Sequence, residues 1–186
     1  MARIHGIDPH TATGEVKQLL DGVQATLGAT PNFIRVLAHS PSALTGFLGL
    51  YGAPGAAKID KATQERIALA VAEGNGCQYC VSAHTALGRH AGLTNEEMAL
   101  NRRGTSGDAR AAAAVAFART LNANLGEVTT AEFDAARASG LGDGEIVEII
   151  SVVALNVFTN ILGKATRVDI DFPKVDLLPG AVKNAA

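Results

Sequence analysis

From Asp143 to about Asp169 the chain is apolar nearly all round a helical wheel: Ile146, Val147, Ile149, Ile150, Val152, Val153, Leu155, Val157, Phe158, Ile161 and Leu162. A helix of that kind has to be covered on every side. Other helices of the same chain must pack on it, or a second copy must. Glu148, Ser151, Asn156, Thr159 and Asn160 interrupt the run. It therefore reads as a buried core helix and not as a membrane span.

The rest of the chain supplies helical partners. Val16, Leu19, Leu20, Val23 and Leu27 recur at helical spacing, and Gly28 is a natural stop. A short helix is predicted in "PNFIRVLAHSP". Leu44, Phe47, Leu48 and Tyr51 form another stripe, ended by "GAPG". Asp60 is placed to cap a helix that runs to Gly74. Thr94 with Glu97 and Thr129 with Glu132 fit capping boxes. Ala114, Phe117, Ala118, Leu121 and Leu125 line one more face. No stretch alternates with period two, so an all-α fold without a sheet is expected. Of the 186 residues 47% are hydrophobic, which suits one domain with a real core and argues against disorder. The predicted organisation is one helical domain over 1–171, with N-terminal helices in 1–55 and a core in 56–171. Residues 172–186, "FPKVDLLPGAVKNAA", lack periodicity and read as an extended arm.

The formal net charge of −2 gives no reason to expect a nucleic acid or an anionic membrane as partner. The first residues hold no apolar run of the signal-peptide type. The expected compartment is a reducing cytoplasm. There a C-x-x-C points to catalysis or metal binding rather than to a structural staple.

Both cysteines of the chain fall in "EGNGCQYCVSAHTALGRHAGL". Gly74 ends one helix and Asn75, with Gln78 three residues on, is placed to cap the next. Cys77 then meets the positive end of the helix dipole, which favours its thiolate. Cys80 follows at i+3 and His84 four residues beyond it, a stripe of thiol, thiol and imidazole. An imidazole in reach takes a thiol proton and leaves the nucleophile. A second thiol can then condense with a sulfenic acid before it oxidises further. Two other readings compete. The stripe can be an ordinary core face, since cysteine packs as a small hydrophobe. Or two thiolates and an imidazole can bind zinc, with Glu65, Glu73 or water as a fourth ligand. No second C-x-x-C or H-x-H supplies the usual partner pair, so no metal or other cofactor is expected. His5, His10, His39 and His90 carry no partner pattern. Tyr79 reads as a packing residue. Glu73 is odd, because a carboxylate at a helix C-terminus meets the negative dipole end.

The pattern Glu65–(x)11–Cys77–x–Tyr–Cys80–(x)3–His84 resembles the alkylhydroperoxidase D-like branch of the carboxymuconolactone decarboxylase superfamily. The segment "AFARTLNANLGEVTTAEFDAARASGLGDGEIVEIISVVALNVFTN" also looks like the downstream part of its peroxidase-related members. The resemblance implies a bundle of about seven to nine helices that assembles as homotrimers or homohexamers. It implies a peroxidase that acts on a small hydroperoxide and is recycled by a dithiol of thioredoxin or lipoyl type. It also implies that Glu65 orients or charges His84, which helps to deprotonate Cys80. The best-studied type has a histidine where this chain has Tyr79. Decarboxylase members lack the cysteine pair, and a lactone enzyme that ignores the thiols is the alternative; a non-enzymatic zinc or redox-sensing oligomer is another. The helix dipole points to Cys77 as the attacking thiol, at about 0.3–1 kcal/mol near a surface. A positioned base is worth about a hundredfold or more in rate. Cys80 is therefore the expected nucleophile and Cys77 the resolving thiol.

Overall fold

The computed structural model describes residues 1–52 and 58–180. Among them nine helices follow in chain order: α1 (Gly14–Leu27), α2 (Asn32–Leu37), α3 (Pro41–Tyr51), α4 (Lys61–Gly74), α5 (Gln78–His90), α6 (Asn95–Arg102), α7 (Ala109–Ala123), α8 (Thr130–Ala138) and α9 (Asp143–Thr166). No strand occurs among the described residues. The all-α expectation holds. The boundary expected near 55/56 and the last residues of the arm, 181–186, lie outside the described residues.

Local chemistry sets the helix ends. Asp60 Oδ1 accepts the Thr63 N–H at 2.6 Å and starts α4. Asp108 does the same for α7 through the Ala111 N–H at 2.7 Å. Thr129 and Glu132 close the full reciprocal box at α8. Gly28 ends α1 in the left-handed region, at φ 72°. At α6 only half of the expected box forms. Thr94 accepts from the Glu97 N–H at 3.1 Å, but the Glu97 carboxylate turns to Arg66, Asn101 and Ser106 instead.

The helix covered on every side is α4 rather than α9. Ile67 through Ala72 are all at most 2% exposed, with Glu73 also buried behind them. Three of those six residues are alanine, and small side chains let neighbouring helices close in from all directions. Helices α5, α6, α7 and α9 pack around it. Its Ile67, Ala70 and Val71 join Val115, Phe117 and Ile149 in one apolar cluster. A second cluster links α1–α3 to both cysteines and Tyr79 at the start of α5. Helix α9 buries Ile146, Ile149 and Val153 against this frame, but Val147, Ile150, Phe158 and Ile161 stay 40–62% exposed.

Past α9 the chain turns at Arg167, φ 52°, and runs back across α5. The Val175 N–H donates to Ser82 Oγ at 3.0 Å, and Gln78 Nε2 donates to Asp176 Oδ1 at 2.9 Å. The Leu178 N–H reaches Glu73 Oε1 at 2.7 Å. The described part of the arm is thus a strap held by its own chain. Buried carboxylate and hydroxyl acceptors on α4 and α5 capture its backbone donors.

Candidate active site

The turn between α4 and α5 positions the cysteines. Gly76 adopts φ 63°, a left-handed conformation that any side chain would strain. The chain reverses there, and Cys77 itself becomes the N-cap of α5, its Sγ accepting the Cys80 N–H at 3.4 Å. The cap expected at Asn75 is therefore two residues off. Asn75 closes α4, and its side chain is drawn inward. Its Nδ2 donates to Asn122 Oδ1 and Asn160 Oδ1 at 3.0 and 2.9 Å, and its Oδ1 accepts from Asn122 Nδ2 at 2.9 Å. A half-buried amide satisfied on both ends by side chains has no reason to cap a helix.

Cys77 and Cys80 are joined as a disulfide, with Cα atoms 5.3 Å apart. Both are buried, at 1% and 4% exposure. Gly163 of α9 packs against the bridge: a Cβ there would sit 3.4 Å from Cys77 Sγ and 3.9 Å from Cys80 Sγ, in ordinary van der Waals contact. Only Cys80 lines the adjoining cavity, together with Glu65 and His84.

Glu65 comes from α4, almost wholly buried, and meets His84 one turn past Cys80. His84 Nδ1 and Glu65 Oε2 are 2.8 Å apart. The other oxygen, Oε1, pairs with Lys61 Nζ at 3.2 Å. Burial pushes the Glu65 carboxyl up, but the His84 and Lys61 charges and hydrogen bonds outweigh it and hold the carboxyl below its ordinary value. An ionised carboxylate only accepts, so His84 Nδ1 carries a proton and donates to Glu65 Oε2, and Nε2 is the ring nitrogen left for a partner in the cavity. Among the described residues no hydrogen bond joins His84 to either sulfur of the oxidised pair. The four residues singled out from the sequence are thus brought together: Glu65 to His84 directly, Cys77 to Cys80 covalently, and Cys80 with His84 on one cavity wall.

Tyr79 faces the same cavity but is committed elsewhere. Its hydroxyl donates to Asp171 Oδ1 at 2.9 Å and accepts the Phe33 N–H at 3.2 Å. Burial, with the Asp171 charge adding to it, raises its pKa far above that of a free tyrosine, so the hydroxyl stays protonated and ties α2 and the strap to α5. Glu73, the misplaced carboxylate of the sequence, is explained as well. It is buried and pairs with Arg102 Nε at 2.6 Å while it holds the strap. Sequence reasoning missed Lys61, Asp171 and Gly163. Each acts through a contact distant in the chain or one helical turn away, and only the i, i+4 spacing of Lys61 to Glu65 was there to be read. Among the described residues no cluster of three or more His, Cys, Asp or Glu side chains is arranged to hold a metal.

The cavity beside Cys80 measures about 420 Å³. It lies among α2, α3, α4, α5 and α9, with Phe172 of the strap also lining it and mostly apolar walls.

A helical bundle with a buried C-x-x-C disulfide at the start of a core helix defines a helical dithiol protein. Residues 41–120 match the carboxymuconolactone decarboxylase family. Over that segment and in its fold the chain is similar to the alkylhydroperoxidase D-like branch of that superfamily. It is similar to the alkylhydroperoxidase AhpD core structure of an uncharacterized peroxidase-related protein from Ralstonia eutropha JMP134. The two are 25% identical, with 91% of this chain and 92% of that one covered and a TM-score of 0.79. A peroxidase-related protein from Silicibacter sp. TM1040 is also 25% identical, over 89% of this chain and 91% of its own, with a TM-score of 0.76. The debrominase Bmp8, in complex with 2,3,4-tribromopyrrole, shares the fold at 21% identity, with 90% and 91% coverage and a TM-score of 0.76. No curated protein matches the chain.

Proposed function

We propose that the protein is a thiol peroxidase that reduces an organic hydroperoxide through Cys80, resolved by Cys77 and recycled by an external dithiol. The observation that carries this reading is the unequal placement of the two sulfurs. Cys80 lines an apolar cavity beside a histidine held by a buried carboxylate, and Cys77 is bonded behind it.

In the reduced enzyme His84 Nε2 takes the Cys80 thiol proton, and Glu65 stabilises the imidazolium that forms. The thiolate attacks the terminal oxygen of the hydroperoxide. The O–O bond breaks, and the alkoxide leaves as an alcohol with the proton from His84. Cys80 is now a sulfenic acid. The Cys77 thiolate attacks its sulfur, the S–S bond forms, and hydroxide leaves as water after protonation. The Cys80 N–H at the N-terminus of α5 supports that thiolate. A dithiol of thioredoxin or lipoyl type then exchanges with the disulfide and restores both thiols. Such a cycle requires a reducing compartment, the cytoplasm in this reading.

A second reading is favoured by the aromatic residues on the cavity wall: two-electron reductive removal of halogen from an aromatic ring by the same dithiol. Ring carbon–halogen cleavage would yield the hydrogen-bearing ring, halide and the disulfide.

Peroxide consumption with a dithiol donor, compared among wild type, Cys80→Ser and Cys77→Ser, tests the first reading. Cys80→Ser should lose turnover entirely. Cys77→Ser should consume one equivalent, accumulate a trappable sulfenic acid on residue 80, and drift to the sulfinic acid in excess peroxide. A sulfenic acid trapped on Cys77 in the Cys80→Ser variant would reverse the two roles. Undiminished activity in both variants would remove the thiols from the chemistry. Halide release from 2,3,4-tribromopyrrole without peroxide consumption would favour the second reading.

A further inference from the structure

The chain holds eight aromatic residues, six Phe and two Tyr, and no Trp. Five of them line the cavity beside Cys80: Phe33, Phe47, Tyr51, Tyr79 and Phe172. They form one continuous series. Tyr51 stacks on Phe47, with centroids 5.4 Å apart and planes at 17°. Phe47 meets Phe33 edge-on at 5.4 Å. Phe33 lies 6.3 Å from Tyr79, and Tyr79 meets Phe172 edge-on at 5.8 Å. They come from α2, α3, α5 and the strap, four separate parts of the chain. Local sequence has no means of assembling them; the fold does.

This lining is more than a greasy wall. Faces and edges of aromatic rings carry opposite partial charges, so a wall that presents both favours another ring in offset or edge-on contact over an aliphatic group of equal size. The volume agrees. About 420 Å³ is within the usual range of small-molecule sites and would hold on the order of ten waters. Hydrogen peroxide would leave it mostly unfilled. Cys80, His84 and Glu65 line the same cavity, as does Lys61, whose Nζ sits 4.9 Å over the Tyr51 ring, and Gln64, Glu148, Ser151, Asn156 and Thr159 add further polar groups. A ligand there meets the Cys80 sulfur and its His84–Glu65 pair in the same cavity as the aromatic series.

We infer that this site takes a hydroperoxide substrate that carries an aromatic ring. The inference rests on the peroxidase reading for the identity of the reacting group, and on the cavity alone for the ring. The reaction is the one given above: an aryl-alkyl hydroperoxide gains two electrons and two protons from the dithiol and leaves as the aryl-alkyl alcohol and water.

The test separates the ring from the chemistry. Calorimetric titration of the oxidised protein with 2-phenyl-2-propanol, the alcohol product of cumene hydroperoxide, is compared with 2-cyclohexyl-2-propanol, which has similar bulk and no π system. The phenyl compound should bind about three- to tenfold tighter. Tyr51→Leu and Phe172→Leu, both at half-buried positions, should each narrow that ratio. Equal affinities, tighter binding of the cyclohexyl compound, or no detectable binding of either would overturn the inference. In kinetics, cumene hydroperoxide should exceed tert-butyl hydroperoxide in kcat/KM by about tenfold in the wild type. Ring-selective binding without peroxide consumption sinks the peroxidase reading and leaves the aryl site standing. Peroxide consumption with neither ring-selective binding nor a cumene preference does the reverse.

Discussion

Glu65 shows how much one residue draws from its surroundings. It sits in α4 with 2% of its side chain exposed, facing His84 and Lys61. A buried charge without partners would be costly; this one has two, and they hold its carboxyl below the ordinary value of 4.5. Stabilisation by its charge is therefore complete above that value and is lost as pH falls through the lower folded pKa. Glu65→Gln keeps the volume and removes the charge. It should lose about 1.5–3 kcal/mol near neutral pH, the usual worth of hydrogen bonds to charged groups. Urea midpoints measured down the pH scale should show the gap to wild type closing below 4.5. A gap independent of pH would mean that shape, not charge, is what Glu65 supplies. If the residue also acts through His84, the peroxidase rate profile of the same variant moves to higher pH.

At the scale of elements, the strap and the motif helix behave as one unit. Residues 171–178 are tied to α4 and α5 by Glu73, Tyr79 and Ser82, and to α6 by Arg102 Nη2, which donates to the Asp176 carbonyl at 2.5 Å. The Glu73–Arg102 pair is nearly closed off from water, with the side chains 6% and 12% exposed. Removing one partner of such a pair leaves a buried charge uncompensated, at a cost of about 3–5 kcal/mol. Glu73→Ala also frees the Leu178 N–H. It should lower the melting temperature markedly and open the strap to limited proteolysis. Gln78→Ala removes one exposed contact to Asp176 and should cost under about 1 kcal/mol, as solvent-facing contacts do. A strap still protected in Glu73→Ala would show that Tyr79 and the Phe172 packing suffice to hold it.

For the whole molecule, α9 leaves an apolar face uncovered. Val147, Ile150, Ala154, Phe158 and Ile161 share one exposed stripe along its length. We propose a second copy of the chain as the cover, in a homotrimer or homohexamer, as the family resemblance implies. Closed symmetric assemblies bury such stripes repeatedly with one set of residues. Light scattering at micromolar protein should give a mass of three or six chains, and Ile161→Asp should shift it towards one. A wild-type monomer would count against the proposal.

The sequence by itself determined the helices and the chemistry they carry. Periodicity, caps and glycines are short-range signals, so α1 to α9 were legible, and so was the stripe of Cys77, Cys80 and His84. Glu65 was legible only through the family pattern, because a mid-helix glutamate beside Arg66 reads as solvated until something distant buries it. Where local signals competed, the tertiary structure decided. Asn75 has the chemistry of an N-cap, yet Asn122 and Asn160 claim its amide and Cys77 caps α5 in its place. Composition pointed to α9 as the helix enclosed on all sides. Packing chose α4, because its alanines admit four neighbours while the branched side chains of α9 face inward on one side only. The placement of the sulfurs is of the same kind. Spacing put two thiols together, but which one meets a substrate depends on the cavity that α3, α9 and Phe172 build against Cys80. Such contacts join residues far apart in the chain, and no local preference encodes them.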